Sequence, residues 1–203
     1  MLPPTLYGLI VHLSGGTRAQ VAAVIGIGVV FFGAIPLVSM VRAIRGIPHA
    51  SIELRDRTHR TIPYLVAVGS YLVALFIVAR SSLPEREFLM AVTLSFVISG
   101  FLMLVINLSW KISLHVSTLA GFFSILWYYL SRVNPGALTD ATTGDGAPMM
   151  RLAVFGIAVT ALVMWARVEV RAHTPAQVFG GAAFGLVAPY VTLLILAWIG
   201  VQA

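Results

Sequence analysis

Three short polar clusters interrupt an otherwise apolar chain, and each contains both cations and a histidine. They span residues 55–63, 111–115 and 167–177. Arginine and lysine side chains neutralise negatively charged oxygens, and histidine donates or accepts protons near neutral pH. If the clusters converge at a membrane surface, they provide the chemistry needed to bind and cleave a phosphate group on a lipid.

The clusters lie in separate loops between predicted membrane-spanning helices. A helix needs roughly 20 apolar residues to cross the bilayer. We predict an all-α, polytopic bundle of six transmembrane helices, and the clusters fall after the first, third and fifth of them, so the three loops share one membrane face. The sustained apolar runs that define the spans lie at about residues 19–40, 64–79, 88–108, 112–130, 152–166 and 178–201.

The composition indicates an integral membrane protein. Hydrophobic residues make up 59% of the chain and charged residues only 10%, whereas soluble proteins contain roughly 25% charged residues. With 203 residues and no long polar stretch, we predict a single membrane-embedded domain over residues 1–203. Residues 1–14 are apolar but too short to cross, so we expect an interfacial helix there. The absence of cysteine excludes disulfides and thiolate metal sites.

The charges favour lipid and phosphate partners over nucleic acid. The formal net charge is +6, and the basic residues lie at the ends of the predicted spans and in the three clusters, where anionic headgroups or a phosphorylated lipid substrate meet them. All seven acidic residues lie outside the apolar runs. A bundle that holds Mg²⁺ and a pyrophosphate, as in a prenyltransferase, needs clustered carboxylates. We therefore predict metal-independent chemistry with no cofactor.

The spacing of the third cluster is its most informative property. Arg167 is followed after five residues by His173 and after three more by Gln177. This pattern resembles the third motif of the type 2 phosphatidic acid phosphatase (PAP2) superfamily, which reads Ser-Arg, five residues, His, three residues, Asp. The second cluster resembles that family's Pro-Ser-Gly-His motif, with Ser113 and His115 at the matching positions.

The first cluster resembles the remaining motif of the family, Lys, six residues, Arg-Pro. Arg55 stands at the lysine position and Pro63 at the proline position, but Ile62 stands where the family has arginine. Either Arg57 or Arg60 must then substitute for that arginine. With this cluster included, the resemblance covers most of the chain.

The resemblance implies a role for each polar residue. In the family, the histidine of the third motif attacks phosphorus and that of the second protonates the leaving group, which makes His173 the nucleophile and His115 the general acid. Lys111 precedes His115 by four residues and is expected on the same helical face, and Ser113 is expected to cap that helix. The phosphate-binding residues are then Arg167, Lys111, Ser113 and Arg55, Arg57 or Arg60.

Gln177 departs from the family pattern. The family's aspartate accepts the Nδ1 proton of the nucleophilic histidine and stabilises its positive charge. Glutamine can accept the same hydrogen bond without a charge, and this loss is expected to cost on the order of 10² to 10³ in rate. Residues 174–177 also form a capping box with proline at the first helical position, so Gln177 alternatively satisfies a backbone N–H. The two roles can coexist.

The leading interpretation is metal-independent hydrolysis of a lipid phosphate or diphosphate through a phosphohistidine. The alternatives are a lipid phosphotransferase on the same scaffold and a non-catalytic lipid-phosphate binder or transporter. His115 is alternatively a buried polar residue, Arg167 an interfacial anchor, and the first-loop arginines a positive-inside signal. We expect a bacterial or archaeal cell membrane, with the site on the extracytoplasmic face because the family's bacterial members often work there.

Overall fold

The computed structural model describes residues 2–45, 60–138 and 147–201, and their regular structure is entirely helical. The chain divides into two compact units, the first formed by residues 1–111 with 192–203 and the second by residues 112–191. The predicted all-α class is confirmed. A single domain over residues 1–203 stays a prediction.

Seven α-helices account for most of the described chain. The first unit contains α1 (Leu2–Leu13), α2 (Arg18–Ile44, with a π-helical stretch at Gly28–Ala34), α3 (Thr61–Ala79) and α4 (Arg86–Ser109). The second contains α5 (Leu114–Tyr128), continued by a π-helical turn at Tyr129–Val133 and a 3₁₀ turn at Pro135–Leu138, then α6 (Ala147–Glu169) and most of α7 (Pro175–Trp198).

Five of these helices, α2, α3, α4, α6 and α7, are long and apolar enough to cross a membrane. They correspond to five of the six predicted spans, and the chain is an integral membrane protein. The fourth predicted span, residues 112–130, contains the shorter helix α5, which begins at Leu114 and has 15 residues. Ser117 and Ser124 lower its apolar character, and its crossing of the membrane stays a prediction.

Helix α1 packs its apolar side chains into the first unit. Leu6, Tyr7, Ile10 and Val11 are fully buried, and the Tyr7 hydroxyl hydrogen-bonds to the Thr93 hydroxyl on α4. Thr93 in turn donates to the carbonyl of its own helix one turn earlier, so Tyr7 is the donor of the pair. The predicted N-terminal helix is therefore present, and its interfacial location stays a prediction.

In the second unit, α7 packs unusually close to α5 through two glycines one turn apart. A Cβ atom at Gly181 would lie 2.7 Å from the Ser113 carbonyl oxygen, and one at Gly185 would lie 2.9 Å from the Ala120 Cβ and overlap the Ser117 carbonyl. Only a residue without a side chain fits at such distances. The glycines thus hold the start of α7 against the start of α5.

Candidate functional site

The turn between α6 and α7 sets the position of the third cluster. The Arg171 N–H donates to the Val168 carbonyl at 2.9 Å, and the N–H groups of Ala172 and His173 both donate to the Arg167 carbonyl at 3.2 Å. Arg171 has a φ of +53°, the left-handed conformation. This is a Schellman ending, which folds the chain back over the last turn of α6 and brings the His173 backbone against that of Arg167.

His173 is buried, with 8% of its surface exposed, and its hydrogen bonds assign its protons. The Nδ1 atom lies 3.2 Å from Gln177 Oε1, and the Thr174 backbone N–H donates to the same oxygen at 3.1 Å. Because a backbone N–H can only donate, this atom of the amide is its oxygen. His173 Nδ1 must then carry a proton to bond with it, which leaves the lone pair of the neutral ring on Nε2.

Gln177 makes hydrogen bonds that fit both of the roles expected from the sequence. Besides the contact of its side chain with His173, its backbone N–H donates to Thr174 Oγ1 at 3.4 Å, and its side-chain Oε1 accepts the Thr174 N–H at 3.1 Å. These reciprocal bonds form a capping box at the start of α7. One side-chain oxygen therefore caps the helix and orients the imidazole, and any part of it in catalysis stays a prediction.

A backbone hydrogen bond joins the second cluster to the third. The Ser113 N–H donates to the Gln177 carbonyl at 3.1 Å, beside the close contact at Gly181. Ser113 stands at the N-cap of α5, but its side chain makes no capping bond, contrary to our expectation. Its buried Oγ has no hydrogen-bond partner in the described chain. His115 follows in the first turn of α5 and is exposed.

The predicted position of Lys111 is wrong. We expected it on one helical face with His115, but Trp110 is extended (φ −141°, ψ 137°) and so is Ser113 (φ −82°, ψ 107°). The helix containing His115 therefore begins at Leu114, after Lys111. The structure assigns Lys111 to the first unit and residues 112–191 to the second.

The structure describes two of the four candidate phosphate-binding arginines. Arg55 and Arg57 lie outside the described residues. Arg60 stands at the N-cap of α3 and its side chain bonds to the Tyr64 hydroxyl one turn later, and its part in phosphate binding stays a prediction. In the second unit Arg167 is half-buried in the last turn of α6, and its Nε is among the buried atoms.

The described residues contain no group of three or more His, Cys, Asp or Glu side chains arranged to hold a metal ion. The second unit instead contains an oriented imidazole, a second histidine, an arginine and a buried hydroxyl, contributed by His173, His115, Arg167 and Ser113, and backbone hydrogen bonds link Ser113 to Gln177 and His173 to Arg167. Donors of this kind suit an anion with several oxygens, such as a phosphate.

Comparison with known proteins supports the resemblance to the family. The family model described as PAP2 superfamily matches residues 107–200, from the last turn of α4 through the end of α7. The match includes the second and third clusters and does not extend to the first. Neither the curated proteins nor the solved structures contain a match to the chain. Residues 107–200 of the chain therefore match the PAP2 superfamily, as the second and third clusters predicted.

Proposed function

We propose that the protein removes a phosphate group from a lipid phosphate or diphosphate without a metal ion, through a covalent phosphohistidine at His173. Membership of the superfamily is consistent with phosphatase or phosphotransferase activity. The observation that carries the proposal is the bond between His173 Nδ1 and Gln177 Oε1. It assigns a proton to Nδ1 of the neutral ring and leaves a lone pair on Nε2, which supports Nε2 as the proposed nucleophile.

The reaction needs two proton-handling groups on opposite sides of phosphorus. In the first step the Nε2 lone pair forms the N–P bond, the ester P–O bond breaks, and the leaving oxygen takes a proton from His115. In the second step His115 takes a proton from water, whose oxygen attacks the phosphohistidine and restores the free imidazole. The exposed position of His115 in the first turn of α5 gives it access to water.

The phosphate oxygens require donors that neutralise their charge. Arg167 precedes the nucleophile in the same turn, and the buried Ser113 hydroxyl can donate to an oxygen of the substrate. The first N–H groups of α5 lie next to Ser113 and favour an anion. Lys111 and Arg60, with Arg55 and Arg57, remain proposed contributors to this charge. We place the site on the extracytoplasmic face of a cell membrane.

Phosphate release from phosphatidic acid and from a polyprenyl diphosphate, measured in detergent micelles with a chelator present, tests the proposal. We expect release that resists the chelator and a phosphorylated protein that can be trapped by acid-free quenching. His173→Ala should lower release on the order of 10³-fold or more and abolish the trapped label. Glu169→Gln, an exposed change at the end of α6, is the matched control and should retain both.

One observation favours a second candidate function. The Gln177 side chain is neutral and already accepts the Thr174 N–H, so it offers a developing imidazolium little stabilisation. A protein with this site that only binds a lipid phosphate would show saturable binding, no release and no trapped label. A phosphotransferase would instead form the label and pass the phosphate to an added alcohol, which product analysis detects.

A further inference from the structure

A cavity of about 230 Å³ lies at the junction of α1 and α2. All of its residues belong to the first unit, and none of them belongs to the PAP2 match. Two of its six residues carry polar side chains and the other four are apolar or glycine. The lining consists of His12, Gly16, Arg18, Val21, Ala22 and Ile25.

A tight turn brings the two polar side chains together. Gly15 adopts a φ of +77°, its N–H donates to the His12 carbonyl at 3.1 Å, and the Gly16 N–H donates to the Val11 carbonyl at 2.8 Å. A Cβ at Gly16 would lie 2.7 Å from that carbonyl oxygen, so the turn tolerates no side chain there. The chain reverses within four residues and sets His12 beside the start of α2.

The α2 side of the cavity is a single helical face. Arg18, Val21, Ala22 and Ile25 follow the spacing i, i+3, i+4, i+7, which places them in one stripe about 10 Å long. The stripe begins with a cation and continues with apolar side chains. A ligand that follows it must therefore have an anionic end and a hydrocarbon end.

The fold itself does not account for the two polar side chains. Arg18 and His12 are exposed, and within the described chain neither side chain makes a hydrogen bond or an ion pair. A cation in the first turn of a helix opposes the helix dipole, so Arg18 does not stabilise α2. The start of α2 is instead satisfied by a capping box between Thr17 and Gln20.

We propose that this cavity binds an anionic phospholipid, with the phosphate headgroup at Arg18 and His12 and the upper part of an acyl chain along Val21, Ala22 and Ile25. Arg18 is the first residue of a candidate membrane span, which places it at headgroup level with the apolar stripe running into the hydrocarbon. The chemistry and the order of the lining residues thus match those of the lipid.

Photochemical crosslinking to the full chain in detergent tests the site. The probe is phosphatidylglycerol with a photoreactive diazirine on one acyl chain, and the crosslinked residues are read by mass spectrometry. We expect crosslinks concentrated between residues 21 and 25, displaced by unlabelled phosphatidylglycerol and not by phosphatidylcholine. Arg18→Gln should lower the yield about fivefold, the effect of one basic residue at an anionic membrane surface.

The matched control is Arg86→Gln. Arg86 begins α4 as Arg18 begins α2, is similarly exposed, and is paired with Glu87 at 3.7 Å. This variant should leave the crosslinking yield unchanged. Ala22→Phe provides an independent variant, because a ring added at this exposed position fills the apolar end of the cavity and should remove the crosslinks with Arg18 intact.

Three results would overturn the proposal. Crosslinks spread evenly over the apolar helices and insensitive to Arg18→Gln would mean that only bulk lipid was sampled. An equal loss with Arg86→Gln would mean that arginines at span ends act as general interfacial anchors. Displacement by inorganic phosphate as effective as by phosphatidylglycerol would mean that the cavity takes a free anion. Retention volume and helix content verify that each variant is folded, and the lipid and phosphate competitions need no variant.

Discussion

A neutral imidazole has one ring nitrogen that donates and one that accepts, and in His173 a single neighbouring oxygen decides which is which. That oxygen, Gln177 Oε1, is held in place by the Thr174 N–H, so it cannot rotate away without breaking the cap of α7. The arrangement gives the tautomer required of a nucleophile at Nε2. It lacks the negative charge that stabilises the ring when Nε2 bonds to phosphorus.

Replacing Gln177 with glutamate should supply this charge at constant side-chain length. Gln177→Glu retains an oxygen at the position of Oε1, 3.2 Å from His173 Nδ1, and a negative charge in the first turn of α7 also suits the helix dipole. We expect kcat for lipid phosphate hydrolysis to rise about 10²-fold. Steady-state phosphate release in detergent measures the change.

Two further variants separate orientation of the ring from capping. Thr174→Val removes the hydroxyl that accepts the Gln177 N–H and should cost about 1 kcal/mol of stability while the contact to His173 persists. Gln177→Met removes both the cap and the acceptor for Nδ1, so it should lower kcat in addition to stability. If kcat is unchanged in both Gln177→Glu and Gln177→Met, the side chain serves only to cap α7.

The proposed acid makes a separate prediction based on the leaving group. An alkoxide needs a proton as the P–O bond breaks, whereas p-nitrophenolate leaves without one. His115→Ala should therefore slow hydrolysis of an alkyl phosphate on the order of 10²-fold and hydrolysis of p-nitrophenyl phosphate much less. Parallel kcat measurements on the two substrates test this. Equal losses would assign His115 to phosphate binding or to structure.

At the scale of helices, the site depends on how closely α7 approaches α5. The hydrogen bond from the Ser113 N–H to the Gln177 carbonyl forms at the end of this contact. The two glycines at Gly181 and Gly185 permit it, and the Ser124 hydroxyl donates to the Leu186 carbonyl at 2.7 Å further along. The second and third clusters are therefore aligned by helix packing and not by their loops alone.

Gly185→Ala should destabilise the protein by about 1–3 kcal/mol, because its Cβ would meet both the Ser117 carbonyl and the Ala120 Cβ. The matched control is Gly69→Ala on α3, where a Cβ meets no atom of the described chain within 4 Å; this change should leave stability the same or slightly higher. Thermal unfolding in detergent measures both. Equal melting temperatures for the two variants would contradict the packing argument.

Sequence-based prediction found the long apolar helices, because a helix buried in lipid requires a sustained apolar run. It failed at Lys111, where four-residue spacing suggested a shared helical face but residues 110–113, with Trp110 and Ser113 extended, separate α4 from α5. The turn that positions His173 was not predicted, since its left-handed residue is Arg171 and the usual signal for such an ending is glycine. The π-helical stretch in α2 also escaped prediction, although Pro36, which lacks an N–H to continue the α-helical pattern, follows it.

At the scale of the whole molecule, the bond between Ser113 and Gln177 constrains the topology. These residues lie at one depth in the membrane because they are hydrogen-bonded, and the chain between them contains α5 and α6. Helix α6 has 23 residues, or about 34 Å at 1.5 Å per residue, which is enough to cross. If α6 crosses, we predict that the chain also crosses through residues 114–133, where α5 (15 residues) and its π-helical continuation (5 residues) total 20.

The absence of cysteine makes the natural chain a ready background for testing this sixth crossing. Single cysteines can be placed at the exposed positions Trp110, Arg132 and Val170. The first two lie before and after α5, and the third lies just after α6. With a thiol reagent that does not cross the membrane, Trp110→Cys and Val170→Cys should label from one side and Arg132→Cys only from the other. Labelling of positions 110 and 132 from the same side would mean that residues 114–133 do not cross. Because α6 would then carry His173 to the opposite face from His115, that result would also separate the two histidines on which the proposed chemistry depends.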